Sequence, residues 1–188
     1  SVSHVEDMAQ LPITGHIANL LVSESIVTGK GCRGSALEIK RMLRPGGGIA
    51  ILGSPSGNLQ GVTGEELEKW LDADKVKYTR LAGGEWVKVE PGPMADSGEW
   101  THQYGNAANT TSSDERLGGA TKTTELEVQW VGRPGADFGI DRNPRMPAPL
   151  SSWGRLFHQG MNRMIALDAY NGSALWSLEI PDLRRVNM

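Results

Sequence analysis

Long apolar runs are missing from this chain, and so is nearly every cysteine. No stretch approaches the ~20 residues that a membrane-spanning helix requires, so no membrane span is expected in this segment. Cys32 is the single cysteine, which excludes an internal disulfide framework and a multi-cysteine metal site; no metal is expected. An excess of positive charge is lacking as well. With 19 Lys and Arg against 22 Asp and Glu, the net charge is −3, and no basic field exists to attract nucleic acid. Hydrophobic residues make up only 38%, while Gly (24) and Pro (10) are abundant, a mixture that implies ordered segments separated by generous loops. Neither an initiator Met nor a signal-peptide profile heads the chain. Its end, Arg184-Arg185-Val186-Asn187-Met188, follows an expected strand without a closing element, so the chain reads as a fragment of a longer polypeptide.

What is present falls into three textures. Residues 1–90 alternate strand and helix patterns. Residues 19–24 are a short apolar run compatible with a buried strand. A helix is expected over 35–43, with Ser35 and Glu38 spaced as a capping box and Ala36, Ile39 and Leu43 on one face. Arg44-Pro45-Gly46-Gly47-Gly48 stops it, since Pro cannot continue a helix and Gly supplies a left-handed cap. Residues 49–52 are a second buried strand. Thr63 and Glu66 open another helix through Leu67, Trp70 and Leu71, and residues 76–81 and 86–89 read as a hairpin. Residues 91–125 show no periodicity and read as a linker or a segment wrapping a partner. Residues 126–188 are all-β in character: strands at 126–131, 155–159, 164–167 and 174–180, and a long Pro/Gly loop over 133–149. Asn171-Gly172 between the last two strands predicts a type I′ turn.

Order and spacing of three motifs give the first part a resemblance. Glu6-Asp7-Met8-Ala9-Gln10-Leu11-Pro12, then Ala18-Asn19-Leu20-Leu21-Val22, then Glu38 to Gly48 with its Arg44-Pro45-Gly46-Gly47 turn resemble class I AdoMet-dependent methyltransferases over residues 1–90. The resemblance implies the C-terminal part of a Rossmann-like sheet. It places Asp7 at the position whose carboxylate binds the adenine amino group, with Met8 beside it, and Ser23 and Glu24 on the substrate side. The glycine-rich loop and the ribose-binding acid of that family have no counterpart in these residues. AdoMet is therefore expected in an intact parent protein rather than in this chain alone.

The last part resembles another family. Arg155-Leu156-Phe157-His158-Gln159-Gly160, the run from Asn162 to Gly172 with its Ala166-Leu167-Asp168, and Ala174-Leu175-Trp176-Ser177 look like the repeat of pyrroloquinoline-quinone-type (PQQ-type) β-propellers. In that repeat Asp168, Gly172 and Trp176 would be the structural positions, with Trp176 docking on a neighbouring blade. PQQ itself is not expected, because its pocket needs several blades. The join of both parts is similar to large planctomycete proteins that fuse a methyltransferase-like domain to such a propeller.

The expected fold class is thus α/β plus all-β: a partial Rossmann-like sheet, a long loop, and the first blade of a β-propeller in 126–188. The expected function is a non-catalytic fragment with an interaction or assembly role. Its partners would be the remaining domains of the parent and other proteins reached through the propeller. An active AdoMet-dependent methyltransferase is the alternative, and a quinoprotein dehydrogenase fragment the third reading. Compartment follows the same fork: cytoplasmic for the enzyme, exported or periplasmic for the scaffold. Isolated features weigh less. His102 near Glu99 and Tyr104 lacks a second ligand and reads as structural, His158 as a strand residue, and Asp137 and Asp141 as ion-pair partners of neighbouring arginines. Cys32 lies between Lys30 and Arg33, charges that favour a thiolate, but no partnered base accompanies it.

Overall fold

A computed structural model of the chain describes residues 11–132, 148–160 and 162–183. Two compact units, Ser1–Pro93 and Met94–Met188, divide it. Asp7, Met8, Asp137 and Asp141 lie outside the described residues.

The first unit carries strands β1 (Leu20–Val22), β2 (Ile49–Leu52), β3 (Thr79–Leu81) and β4 (Trp86–Val89), in the spatial order β1-β2-β4-β3. β1 and β2 run parallel, whereas β2–β4 and β3–β4 are antiparallel. Alternation decides which side chains enter the core: Ala50 and Leu52 of β2 and Val87 and Val89 of β4 are buried at every second position, as the two-residue period of a strand requires. They form one cluster with Ile26, Leu43, Leu67 and Leu71. Helices α1 (Glu24–Val27), α2 (Ala36–Met42) and α3 (Gly64–Ala73) supply the remaining apolar surface.

Local chemistry sets these helix ends. Thr63 and Glu66 form a reciprocal capping box at the start of α3, satisfying donors that a helix N-terminus leaves open. Ser35 and Glu38 do not. Ser35 Oγ accepts from Leu37 N and donates to Asp74 Oδ2 at 2.6 Å, so the carboxylate beyond the end of α3 serves the start of α2. Glu38 turns instead to Arg41, which donates to both its oxygens at 2.5 and 2.7 Å. Leu11 N also donates to Glu38 at 2.8 Å, and Arg41 reaches the carbonyls of Leu11 and Ile13. One ion pair therefore ties residues 11–13 to α2. The helix ends at Met42, before Arg44-Pro45, because the residue preceding proline disfavours helical geometry. The left-handed Gly46 then belongs to the turn into β2 rather than to the helix cap, and Gly48 N donates to Arg44 O at 2.8 Å.

The second unit is a meander of β5 (Leu150–Ser152), β6 (Arg155–Gly160), β7 (Arg163–Asp168) and β8 (Ala174–Glu179), antiparallel throughout and ordered β5-β6-β7-β8. Ala166, Leu167 and Asp168 of β7 are buried, while all six residues of β8 are exposed. Register slips between Ala166–Trp176 and Leu167–Ala174, leaving Leu175 as an extra, bulged residue. Residues 126–131 join neither sheet, contrary to the strand expected there, and β5 is a strand not expected from sequence, just beyond the Pro/Gly loop expected over 133–149.

The fold class expected from sequence is overturned. Sheet dominates over helix, only 17% is helical, and neither sheet closes into a barrel or propeller. A Rossmann-like pattern needs successive parallel strands joined by crossover helices. Among the described residues only β1–β2 is such a pair; the other contacts of that sheet are antiparallel. Among the described residues the β5–β8 sheet is open, with β5 and β8 as its outer strands.

The Glu38–Arg41 pair generates a prediction. The guanidinium of Arg41 holds the Glu38 carboxyl below its ordinary value of 4.5. A depressed carboxyl pKa contributes stability that is present above the unfolded value and lost as pH falls through the folded one. Glu38→Gln should lower the unfolding free energy by about 1–3 kcal/mol at neutral pH. That difference should shrink as pH drops below about 4.5, a trend that urea titrations across pH measure.

Candidate functional site

Ser23 and Glu24, the positions assigned to substrate, sit where β1 gives way to α1. Ser23 occupies the N-cap without a side-chain cap bond, its Oγ 2.9 Å from that of Ser25. Glu24 lends its carbonyl to Thr28, whose Oγ1 donates at 2.9 Å. The short helix is fastened by Val62 N donating to Ile26 O and Asn58 Nδ2 to Val27 O. Both residues therefore have local structural surroundings, and neither lines the nearby cleft.

That cleft, of ≈180 Å³, is lined by Gly29, Gly31, Cys32, Gln60, Val62 and Glu66 among others. Burial, with the carboxylate of Glu66 adding to it, pushes the Cys32 thiol above its ordinary pKa. The flanking cations seen in sequence do not decide its state. A thiol is a nucleophile only as thiolate, so the raised pKa leaves Cys32 with a smaller thiolate fraction at neutral pH than a free cysteine. Iodoacetamide should alkylate it more slowly at neutral pH in the native chain than in urea, followed by intact mass; equal rates in both would contradict the burial argument.

The acid–base grouping of Glu99, His102 and Tyr104 is not assembled. Glu99 Oε1 accepts from Trp153 N at 3.0 Å and from Ser152 Oγ at 3.2 Å, while His102 Nδ1 lies 2.8 Å from Thr101 Oγ1. His158 stands on β6 opposite Ile165, and burial lowers its pKa and keeps the ring neutral. No cluster of three or more metal-ligating side chains occurs among the described residues, and none of the described helices is long and apolar enough to cross a membrane.

Asp168, Gly172 and Trp176 lie together in the second unit. Asp168 is buried at the end of β7, and its Oδ1 accepts from Tyr170 N at 2.9 Å. Its backbone accepts from Gly172 N and donates to Ser173 O, both at 2.9 Å. The carboxylate thus organises the connection of residues 169–173 as an Asx-type turn. Within it only Gly172 has positive φ (71°), so the turn is a five-residue loop and not the two-residue type I′ form, which needs two such residues.

Trp130 closes this loop from outside. Its Nε1 donates to Ala169 O at 2.9 Å, and Gln129 Nε2 donates to Tyr170 O at 3.0 Å. A Cβ on Gly172 would fall 2.6 Å from the Trp130 ring. Gly172 is thereby fixed by two separate demands, a left-handed backbone and a close aromatic contact.

Trp176 pairs with Ala166, which pairs with Phe157, so the three share one sheet face. Its ring is tilted 46° against Phe157 at 6.2 Å, a favourable aromatic geometry, yet the residue stays 43% exposed. Leu178, two positions on, is 54% exposed.

Trp153 carried no signal in the sequence. It occupies the first of two tip residues between Ser152 and Arg155, with φ 52°, and is followed by Gly154 at φ 68°. For a bulky residue left-handed backbone is an outlier costing about 1–2 kcal/mol. Trp153 is nevertheless 77% exposed. The same tip meets the other loop, since Ala169 N donates to Gly154 O at 2.9 Å.

Compared with family models, with curated proteins and with solved structures, the chain matches none.

The Trp130–Gly172 contact is testable by a double-mutant cycle. Gly172→Ala should cost about 1–3 kcal/mol of unfolding free energy. In a Trp130→Ala background the cost should fall, because only the backbone strain persists. Purely additive losses in urea unfolding would show that the ring does not constrain the loop.

Proposed function

We propose that this chain is a non-catalytic interaction module, acting in assembly through the β8 side of its second unit. One observation carries the reading: β8 is an edge strand with all six residues exposed, among them Leu175, Trp176 and Leu178. Such strands are a liability in a free protein, because unpaired edge groups and apolar side chains invite pairing with another chain. Trp176 and Leu178 lie on the face that Phe157 and Met164 continue inward, giving an aromatic anchor with apolar surroundings, the usual composition of an interface hot spot. The bulge at Leu175 adds local twist and sets where a partner's strand would stop. The partner is a protein surface that offers an apolar face and a free strand edge.

Replacing Trp176 with the photo-crosslinker p-benzoylphenylalanine in the producing cell tests this. Adducts to a defined protein that disappear when Leu178→Lys is added are the expected result. Equal adducts from a probe at Leu59, which is 99% exposed in the first unit, would mark the contact as indiscriminate and defeat the reading. Calorimetry with AdoMet on the same chain should give no binding heat; clear micromolar binding would favour the enzyme reading instead.

A further inference from the structure

The tip of the β5–β6 hairpin offers a second contact, independent of β8. Three observations converge there. Trp153 holds a left-handed backbone that a bulky side chain disfavours, in a position where Asn or Gly would sit without strain. The indole is spent on nothing internal: the residue is 77% exposed. Glu99, from a segment more than fifty residues earlier, fastens the strained turn by accepting from Trp153 N and Ser152 Oγ. Strain retained at an exposed aromatic and braced from afar is the signature of a residue kept for contact.

The chemistry around it selects the ligand. Glu99 accepts its side-chain hydrogen bonds from a neutral amide and a neutral hydroxyl, so its charge is not cancelled by these partners. Arg155, the next residue after the tip, stands across the ladders from Ser152 and Asp168 and makes no ion pair with Glu99 among the described residues. An exposed indole whose own backbone N–H is held by a carboxylate puts an aromatic surface and a negative charge on one turn, two features that attract a cation. We infer that this tip receives a cationic side chain, arginine or lysine, of a partner protein, with Trp153 supplying the aromatic face and Glu99 the counter-charge. Arginine fits best, because its planar guanidinium stacks on an indole while donating to a carboxylate.

The test follows the indole N–H resonance of Trp153 in the ¹⁵N-labelled full chain, identified by its loss in Trp153→Phe. N-acetyl-arginine amide is titrated at low ionic strength, against N-acetyl-citrulline amide as the neutral isostere. The arginine probe should give a saturable shift that salt weakens, and citrulline a several-fold smaller response. Glu99→Gln keeps a hydrogen-bond acceptor for the turn but removes the charge, and should weaken the arginine response several-fold without lowering the thermal midpoint. Trp153→Asn should raise the midpoint by relieving strain, while the shifts of neighbouring amides vanish. Equal responses to both probes, no response to either, or an unchanged response in Glu99→Gln would overturn the assignment. A response that survives Trp153→Asn would place the cation elsewhere.

Discussion

The fit of Trp130 over Gly172 is the contact on which one end of the second unit depends. The loop of residues 169–173 needs a left-handed residue, a buried acceptor and an outer wall, and each comes from a different part of the chain. Gly172 supplies the backbone geometry, Asp168 the acceptor for Tyr170 N, and Trp130 the wall and a hydrogen bond to Ala169 O. A Cβ at 172 would collide with the ring before backbone strain was counted. The loop so held donates from Ala169 N to Gly154 O, so its order is passed to the hairpin tip beside it.

Order at that end contrasts with exposure along the last strand. β7 is buried over Ala166, Leu167 and Asp168, whereas β8 beside it is exposed along its whole length. A sheet of this size gains stability from burying one face, and the burial here stops one strand short. Aromatic area is placed at both open features, Trp176 on the edge strand and Trp153 at the tip. Trp176 leans on Phe157, while Trp153 is 77% exposed and its backbone N–H donates to Glu99. In the first unit Ser23, expected on the substrate side, stands at a helix start, and burial with Glu66 raises the pKa of the Cys32 thiol.

Local elements were legible where local physics decides them. The capping pair Thr63 and Glu66 marks the start of α3, and the Arg44-Pro45 step marks the end of α2, because both act within a few residues. The similar Ser35–Glu38 spacing misleads. Arg41, one turn along, competes for the carboxylate and wins, since two bonds from a guanidinium outweigh a single bond from a neutral backbone N–H. The Asn171-Gly172 signal locates a turn but misassigns its type, because Asp168 and Trp130 impose a longer loop. Strand β5 is not legible in the sequence: Leu150-Ser151-Ser152 has no apolar alternation, and Trp153 stands where a turn residue would be expected.

By itself the sequence determined what the chain lacks, with its single cysteine and slightly acidic balance, and where short-range chemistry starts and stops helices. Sheet architecture was decided by tertiary structure alone. Whether neighbouring strands run parallel or antiparallel, and whether a sheet closes, depends on pairing between residues far apart, which apolar patterning does not encode. The resemblance in motifs therefore suggested a Rossmann-like sheet and a propeller blade, while pairing produced a mixed sheet and an open meander. The same holds for the candidate contacts. Trp153 and Glu99 are distant in sequence and meet only because Trp100, next to Glu99, pairs its backbone with Ser151 of β5.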